Sequence, residues 1–196
     1  MASEVSTKAP QAGVLAVFAL RSKLIWQKMC RLDEGIIKNT KAELTKSYSS
    51  RASMWRESAE EEKREISYIL DDINEEMIGF ATHRAIQKFS LWRSAVLSSK
   101  AAKLFYEAKE FISAGAEWKN SAQSRESLAI YYRWGFTYNS NSRKSAVDYL
   151  IAGNAYMLGG DQKTANQLLN RGTQNVAYHF AGVSLPEITF ETATMS

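Results

Sequence analysis

Hydrophobic positions recur with a helical period along most of this chain. From Ala12 to Leu32, Val14, Phe18, Ile25, Met29 and Leu32 form one stripe, widened by Leu15, Leu24 and Trp26. Asp33-Glu34-Gly35 marks a break, and Lys38 to Ser53 is weakly patterned. There Leu44, Tyr48 and Trp55 keep a loose register that Ser47, Ser49, Ser50 and Ser53 dilute. Ile66, Leu70, Ile73, Met77 and Phe80 then alternate spacings of four and three, coiled-coil-like but too short for a free coiled coil. Gly79 reads either as a hinge or as part of one long helix. Ala85, Ile86, Phe89, Trp92 and Val96 make a further buried stripe that ends at Ser98-Ser99, with Ser99 as the N-cap of the next helix. That helix is predicted to bury Ala101, Leu104, Phe105, Ala108, Phe111 and Ile112 and to close near Gly115. The aromatic run Leu128 to Tyr138 suits a strand by composition, but its register and the lack of a preceding turn signal predict a helix. Asn139 to Ser142 reads as a loop whose Asn141 or Ser142 caps the following helix.

Tyr149 to Gly172 is the clearest stretch. Two helices fold back on each other at Gly159-Gly160-Asp161, and Gly153, Ala165 and Gly172 are small enough to let the two backbones approach closely. Only Pro10 and Pro186 interrupt the chain, so the body between them is predicted to be all-α, built of stacked antiparallel helical hairpins. The expected organisation is a disordered tail over 1–11, one helical domain over 12–182, and an extended tail over 183–196, where Val183, Leu185, Ile188 and Phe190 alternate around Pro186.

Composition narrows the setting. The single cysteine, Cys30, excludes an intramolecular disulfide framework and points to an intracellular, cytoplasmic protein; its place on the first helix predicts a small buried hydrophobe. The longest apolar run, Gly13 to Leu20, is far short of the ~20 residues of a membrane span. Arg21-Ser22-Lys23 stands where a signal peptide would need small residues. The net charge of +4 is distributed in blocks: net +4 over residues 1–50, −5 over 51–82, +7 over 83–145 and −2 over 146–196. Such blocks can complement one another on folding or form separate docking faces. The acidic run around Glu60 to Glu76 is expected to be a solvated helix face.

Catalytic chemistry is thinly represented. His83 and His179 have no Cys, Asp or Glu at metal-ligand spacing, and Gly159-Gly160-Asp161 lacks the flanks of a phosphate-cradling loop. The expectation is a non-enzymatic chain with no catalytic residue, metal or cofactor. An enzyme would have to gather His83 or His179 with a carboxylate in one pocket.

The hairpin resembles a tetratricopeptide repeat. Tyr149, Ala152, Gly153 and Tyr156 match the first half of that pattern in spacing, and Ala165 and Leu169 match the second. The departures are Tyr149 for Trp, Ala152 for Leu, Leu169 for Phe, and Ala177 in place of the closing Pro. The match covers about residues 146–179. Leu104, Ala108, Phe111 and Gly115 repeat the intervals once more in a degenerate unit, and the texture is similar to that of soluble NSF-attachment proteins. The resemblance implies a protein-binding scaffold in which the first helix of each hairpin lines a groove. Carried onto this chain, the partner-binding residues would be Leu150, Asn154, Met157 and Leu158, with Phe105, Lys109 and Ile112 on the degenerate unit. So few units suggest an adaptor within a larger complex.

The sequence is compatible with two further readings. The basic segment Arg84 to Lys144 interleaves cations with Phe, Trp and Tyr, as a nucleic-acid-binding surface does. Against it, the aromatics fall on stripes expected to be buried. The first helix, over 12–32, either packs on protein or makes a peripheral membrane contact, with Arg21, Lys23, Lys28 and Arg31 facing headgroups.

Overall fold

The computed structural model describes residues 9–72, 80–132 and 136–179, and all of the regular structure in them is helical. In chain order the helices are α1 (Ala9–Met29), α2 (Glu34–Asp72), α3 (Phe80–Glu107), α4 (Phe111–Tyr132), α5 (Phe136–Leu158) and α6 (Gln162–His179). The all-α expectation therefore holds for the described residues. Residues 1–8, 73–79, 133–135 and 180–196 lie outside them, and with them most of the N-terminal tail, the Gly79 hinge, the middle of the Leu128–Tyr138 aromatic run and the extended C-terminal tail.

Several boundaries differ from the sequence reading. Helix α1 begins at Ala9, ahead of the expected start at Ala12, with Pro10 in the first turn where a missing N–H costs nothing. The serine-rich stretch that reads as weakly patterned is part of one long helix, α2. Its hydroxyls return to the preceding turn: Thr45 Oγ1 donates to the Lys41 carbonyl at 3.0 Å, Ser53 Oγ to Ser49 at 3.2 Å and Ser58 Oγ to Met54 at 3.0 Å. Ser99 caps nothing, because α3 runs straight through it, and Gly115 lies in the second turn of α4 rather than at a helix end. Asn139 to Ser142 belongs to α5. Leu128 to Tyr132 is helical as expected, at the end of α4.

Three helix ends share one geometry. After α1, α3 and α5 the chain turns through a left-handed residue: Arg31 (φ 50°), Lys109 (φ 63°) and Gly160 (φ 87°). In each case two reverse hydrogen bonds close the end, for example Gly160 N–H to the Met157 carbonyl and Asp161 N–H to the Tyr156 carbonyl. Asp33 and Asp161 then open α2 and α6 by accepting from the Gly35 and Thr164 amides at 2.7 and 3.1 Å.

Consecutive helices make the extensive contacts, and α4 lies at the centre of the array. Arg56 of α2 approaches Glu117 of α4 at 3.8 Å, and Arg171 of α6 meets Glu126 of α4 at 2.7 Å. The core is built of small residues around a few large ones. Ala52, Ala101, Ala102, Ala114, Ala122, Ala152 and Ala155 surround Phe105, Trp118 and Tyr149. The crossing of α5 and α6 is as close as the sequence predicts: a Cβ on Gly153 would stand 3.0 Å from the Ala165 carbonyl oxygen and 2.7 Å from Leu169 Cγ. Among the described residues no helix is long and apolar enough to cross a membrane.

Ion pairs and hydroxyls are buried inside this array. Ser99 donates to Ser121, whose own proton goes to Asp148 Oδ2 at 2.7 Å, and Arg125 Nε donates to the same oxygen at 2.9 Å. Burial pushes the carboxyls of Glu117 and Asp148 above their ordinary ranges, although Ser98 and Arg56 draw Glu117 back and Ser121 and Arg125 draw Asp148 back. A carboxyl whose folded-state value is raised holds a proton that the unfolded chain has released. Stability from such a group is therefore lost as pH rises from its ordinary value, 4.5 for Glu117, through the raised one. Glu117→Gln is expected to flatten the dependence of the urea midpoint on pH in that window relative to the parent chain. An unchanged slope would place the Glu117 carboxyl in water.

Candidate ligand groove

An open groove of ≈450 Å³ runs between α3 and α5 with α4 as its floor. On α3, Ala85, Lys88, Phe89 and Trp92 fall at intervals of three and four, so one helical face supplies the whole wall. The opposite wall is Ser140, Asn141 and Lys144 of α5, and Leu128 and Tyr132 of α4 form the floor. Hydroxyls join the three helices nearby: Ser94 of α3 meets Ser124 of α4 at 3.4 Å, and Ser145 of α5 donates to the Ala122 carbonyl at 2.9 Å.

The groove is basic and aromatic. Lys88 Nζ lies 4.5 Å from the centre of the Tyr132 ring, a cation resting on an aromatic face. Phe89 and Trp92 are 56 % and 49 % exposed, with ring centres 6.0 Å apart and planes tilted by 32°. Arg93 stands behind Phe89, its guanidinium 5.8 Å from that ring, and is held by Glu62 at 2.9 Å. Lys88 and Lys144 face the groove from opposite walls, and no carboxylate is among the described residues that line it. Such a surface attracts an anionic group and offers flat apolar faces beside it.

The residues that the repeat resemblance nominates do not line this groove. Phe105 is in the core, 1 % exposed, with the Arg56 guanidinium 4.4 Å above its ring. Leu150 packs where Gly172 of α6 comes close, and Asn154 is half-buried on α5. Lys109, Ile112, Met157 and Leu158 are exposed near the α3–α4 and α5–α6 turns, which Ile112 brings together by packing on Gly159. By helix rise, that end of α4 is on the order of 25 Å from Leu128 and Tyr132. The resemblance thus nominates residues toward the other end of the array from this groove.

Phe89 and Trp92 were expected on a buried stripe. The face of α3 that is buried instead carries Gln87, Ser90, Ser94, Ser98, Ala101 and Phe105. Small and hydroxyl-bearing residues fill the helix contact, and the aromatic residues are left outside it. The signal available in the sequence was the adjacency of Lys88 and Arg93 to those aromatics within the basic segment 84–144. Cys30 departs from expectation in the same way, since it is exposed. The side chains of His83 and His179 lie outside the described residues, and among the described ones no group of His, Cys, Asp and Glu could hold a metal ion. Comparison with protein families, with curated proteins and with solved structures finds no match to this chain.

Proposed function

We propose that this chain is a non-enzymatic scaffold, a short tetratricopeptide-like array of helical hairpins that grips an acidic segment of another protein, as a subunit of a larger intracellular assembly. The observation that carries this reading is the open groove walled by α3 and α5, the first helices of two successive hairpins. Supporting the repeat arrangement, Tyr149, Ala152, Gly153 and Ala165 are all buried in the hairpin, as that pattern requires. Ion pairs also reach from α2 to α4 and from α4 to α6. In the groove, Lys88 and Lys144 pair with carboxylates of the partner while Phe89 and Trp92 cover its apolar side chains.

A second reading, single-stranded nucleic acid, is favoured by one feature: exposed aromatic rings beside unopposed lysines are also what stacks bases and neutralises phosphates. Fluorescence anisotropy with an acidic aromatic-containing peptide and with an oligonucleotide separates the two. Trp92→Ala is expected to weaken peptide binding by roughly tenfold or more, about 1.4 kcal/mol, with the fold intact because Trp92 is half exposed. A peptide that binds the variant and the parent equally would remove the groove from the interaction. Preferential binding of the oligonucleotide, with a steep loss of affinity in salt, would establish the second reading instead.

A further inference from the structure

Helix α1 is apolar on two faces. One face packs on α2: Val17 is buried, Gln27 is 5 % exposed, and Gly13 lies against the Arg51 stem. The other face carries Val14, Leu15, Phe18, Ile25, Trp26 and Met29, all open to solvent and exposed by 42 % to 72 %. These six fall within one stripe at helical spacing, turned away from α2. A helix with apolar side chains on both sides is ordinarily covered on both sides, and an exposed patch of this extent marks an interaction surface.

The charge around the stripe identifies what covers it. Helix α1 contains no Asp or Glu, and it carries Arg21, Lys23 and Lys28. Arg21 is turned back onto Tyr48, and Lys23 reaches Glu43 of α2 only at 3.9 Å, with both side chains more than half exposed. Lys28 and Arg31 are exposed at the C-terminal end, next to Trp26 and Met29. A symmetric pairing of α1 with a second copy would bring the mid-helix cations Arg21 and Lys23 of both chains together, with no carboxylate on either helix to offset them. A bilayer with anionic headgroups has the opposite property: it accepts the apolar side chains below and the cations beside them.

We infer that α1 is a docking helix for an anionic membrane surface, lying in the plane of the headgroups with Phe18, Ile25 and Trp26 inserted and the rest of the array held above it through α2. The contact is peripheral. It uses the face that α2 leaves open and is independent of the groove.

The test is co-sedimentation of the full chain with vesicles of phosphatidylcholine alone and of phosphatidylcholine with phosphatidylserine. The parent chain is expected to sediment with the anionic vesicles and to release as salt is raised. Phe18→Ser with Trp26→Ser should lower partition by roughly tenfold or more, and Lys28→Glu by a smaller factor. Circular dichroism melting of these variants should match the parent, because the replaced side chains are exposed. Lys88→Glu with Lys144→Glu should sediment as the parent does. The inference is overturned if the parent stays in solution with anionic vesicles. It is also overturned if the Phe18/Trp26 variant sediments undiminished, or if the Lys88/Lys144 variant is the one that loses binding. A dimer by light scattering that the Phe18/Trp26 variant dissociates would assign the face to a second copy.

Discussion

Tyr149→Ala is expected to cost about 3–5 kcal/mol of stability and to lower the melting temperature by roughly 10 °C. Tyr149 is fully buried, at the centre of a core otherwise made largely of alanine, so its removal leaves a cavity that small neighbours cannot fill. The ring is held in three ways. It packs among helices α3 to α6, its hydroxyl donates to Glu126 Oε2 at 2.9 Å, and the Arg171 guanidinium lies 4.8 Å from its centre. Burial and the neighbouring Glu126 carboxylate both push the phenol well above its ordinary range, so it remains a donor at any physiological pH. Tyr149→Phe separates the ring from the hydroxyl. Glu126 keeps Arg171 at 2.7 Å and Asn175 at 3.3 Å, so the loss should be only about 1 kcal/mol. Thermal denaturation of the two variants checks the ordering. Equal losses would mean that the hydrogen bond, not the packed ring, dominates at this position.

The hairpin around Tyr149 was legible in the sequence because its signals are local. Gly160 adopts φ 87°, which glycine tolerates, and Asp161 caps the next helix through its own carboxylate, so residue type and backbone geometry agree. The α3–α4 turn uses the same two reverse hydrogen bonds, but its left-handed residue is Lys109. With no glycine to mark it, the helical stripe reads through to Ile112 and Gly115, and the helix boundary is displaced. The C-terminal end of α1 hides its turn at Arg31 for the same reason.

Facing was harder to read than helicity. Apolar periodicity identifies a buried side only where large apolar residues make the contact. In α3 the contact is made by Ser90, Ser94, Ser98, Ala101 and Ala102, whose size permits close approach, with Ser94 meeting Ser124 across the interface. Phe89 and Trp92 then face outward, and the groove that they line falls on the side expected to be core. In α1, one face meets α2, with Val17 packed beside Tyr48, and a second apolar face is left open. The sequence reading merged the two faces, because Leu24, seven residues on from Val17 and half-buried, was counted as widening the stripe of Val14, Phe18 and Ile25.

The close crossing of α5 and α6 makes Gly153→Leu the sharpest test of the repeat-like hairpin. A Cβ there would stand 2.7 Å from Leu169 Cγ and 3.0 Å from the Ala165 carbonyl oxygen. The leucine can swing aside at some cost, but the carbonyl belongs to the α6 backbone and can yield only if the helix moves. Alanine at this position should therefore already destabilise, and leucine should cost about 1–3 kcal/mol or more by prising the helices apart. Gly172→Leu is the reciprocal change, since a Cβ there meets Leu150 at 2.8 Å and the Ala146 carbonyl oxygen at 3.1 Å. Gly160→Ala supplies the contrast. Its position has nothing within 4 Å, so only the left-handed backbone is strained, and a loss of roughly 1 kcal/mol is expected. Melting temperatures of the four variants should fall in the order Gly160→Ala, Gly153→Ala, then the two leucine variants with the greatest loss. If Gly153→Leu melts with the parent chain, the two backbones do not meet at this residue.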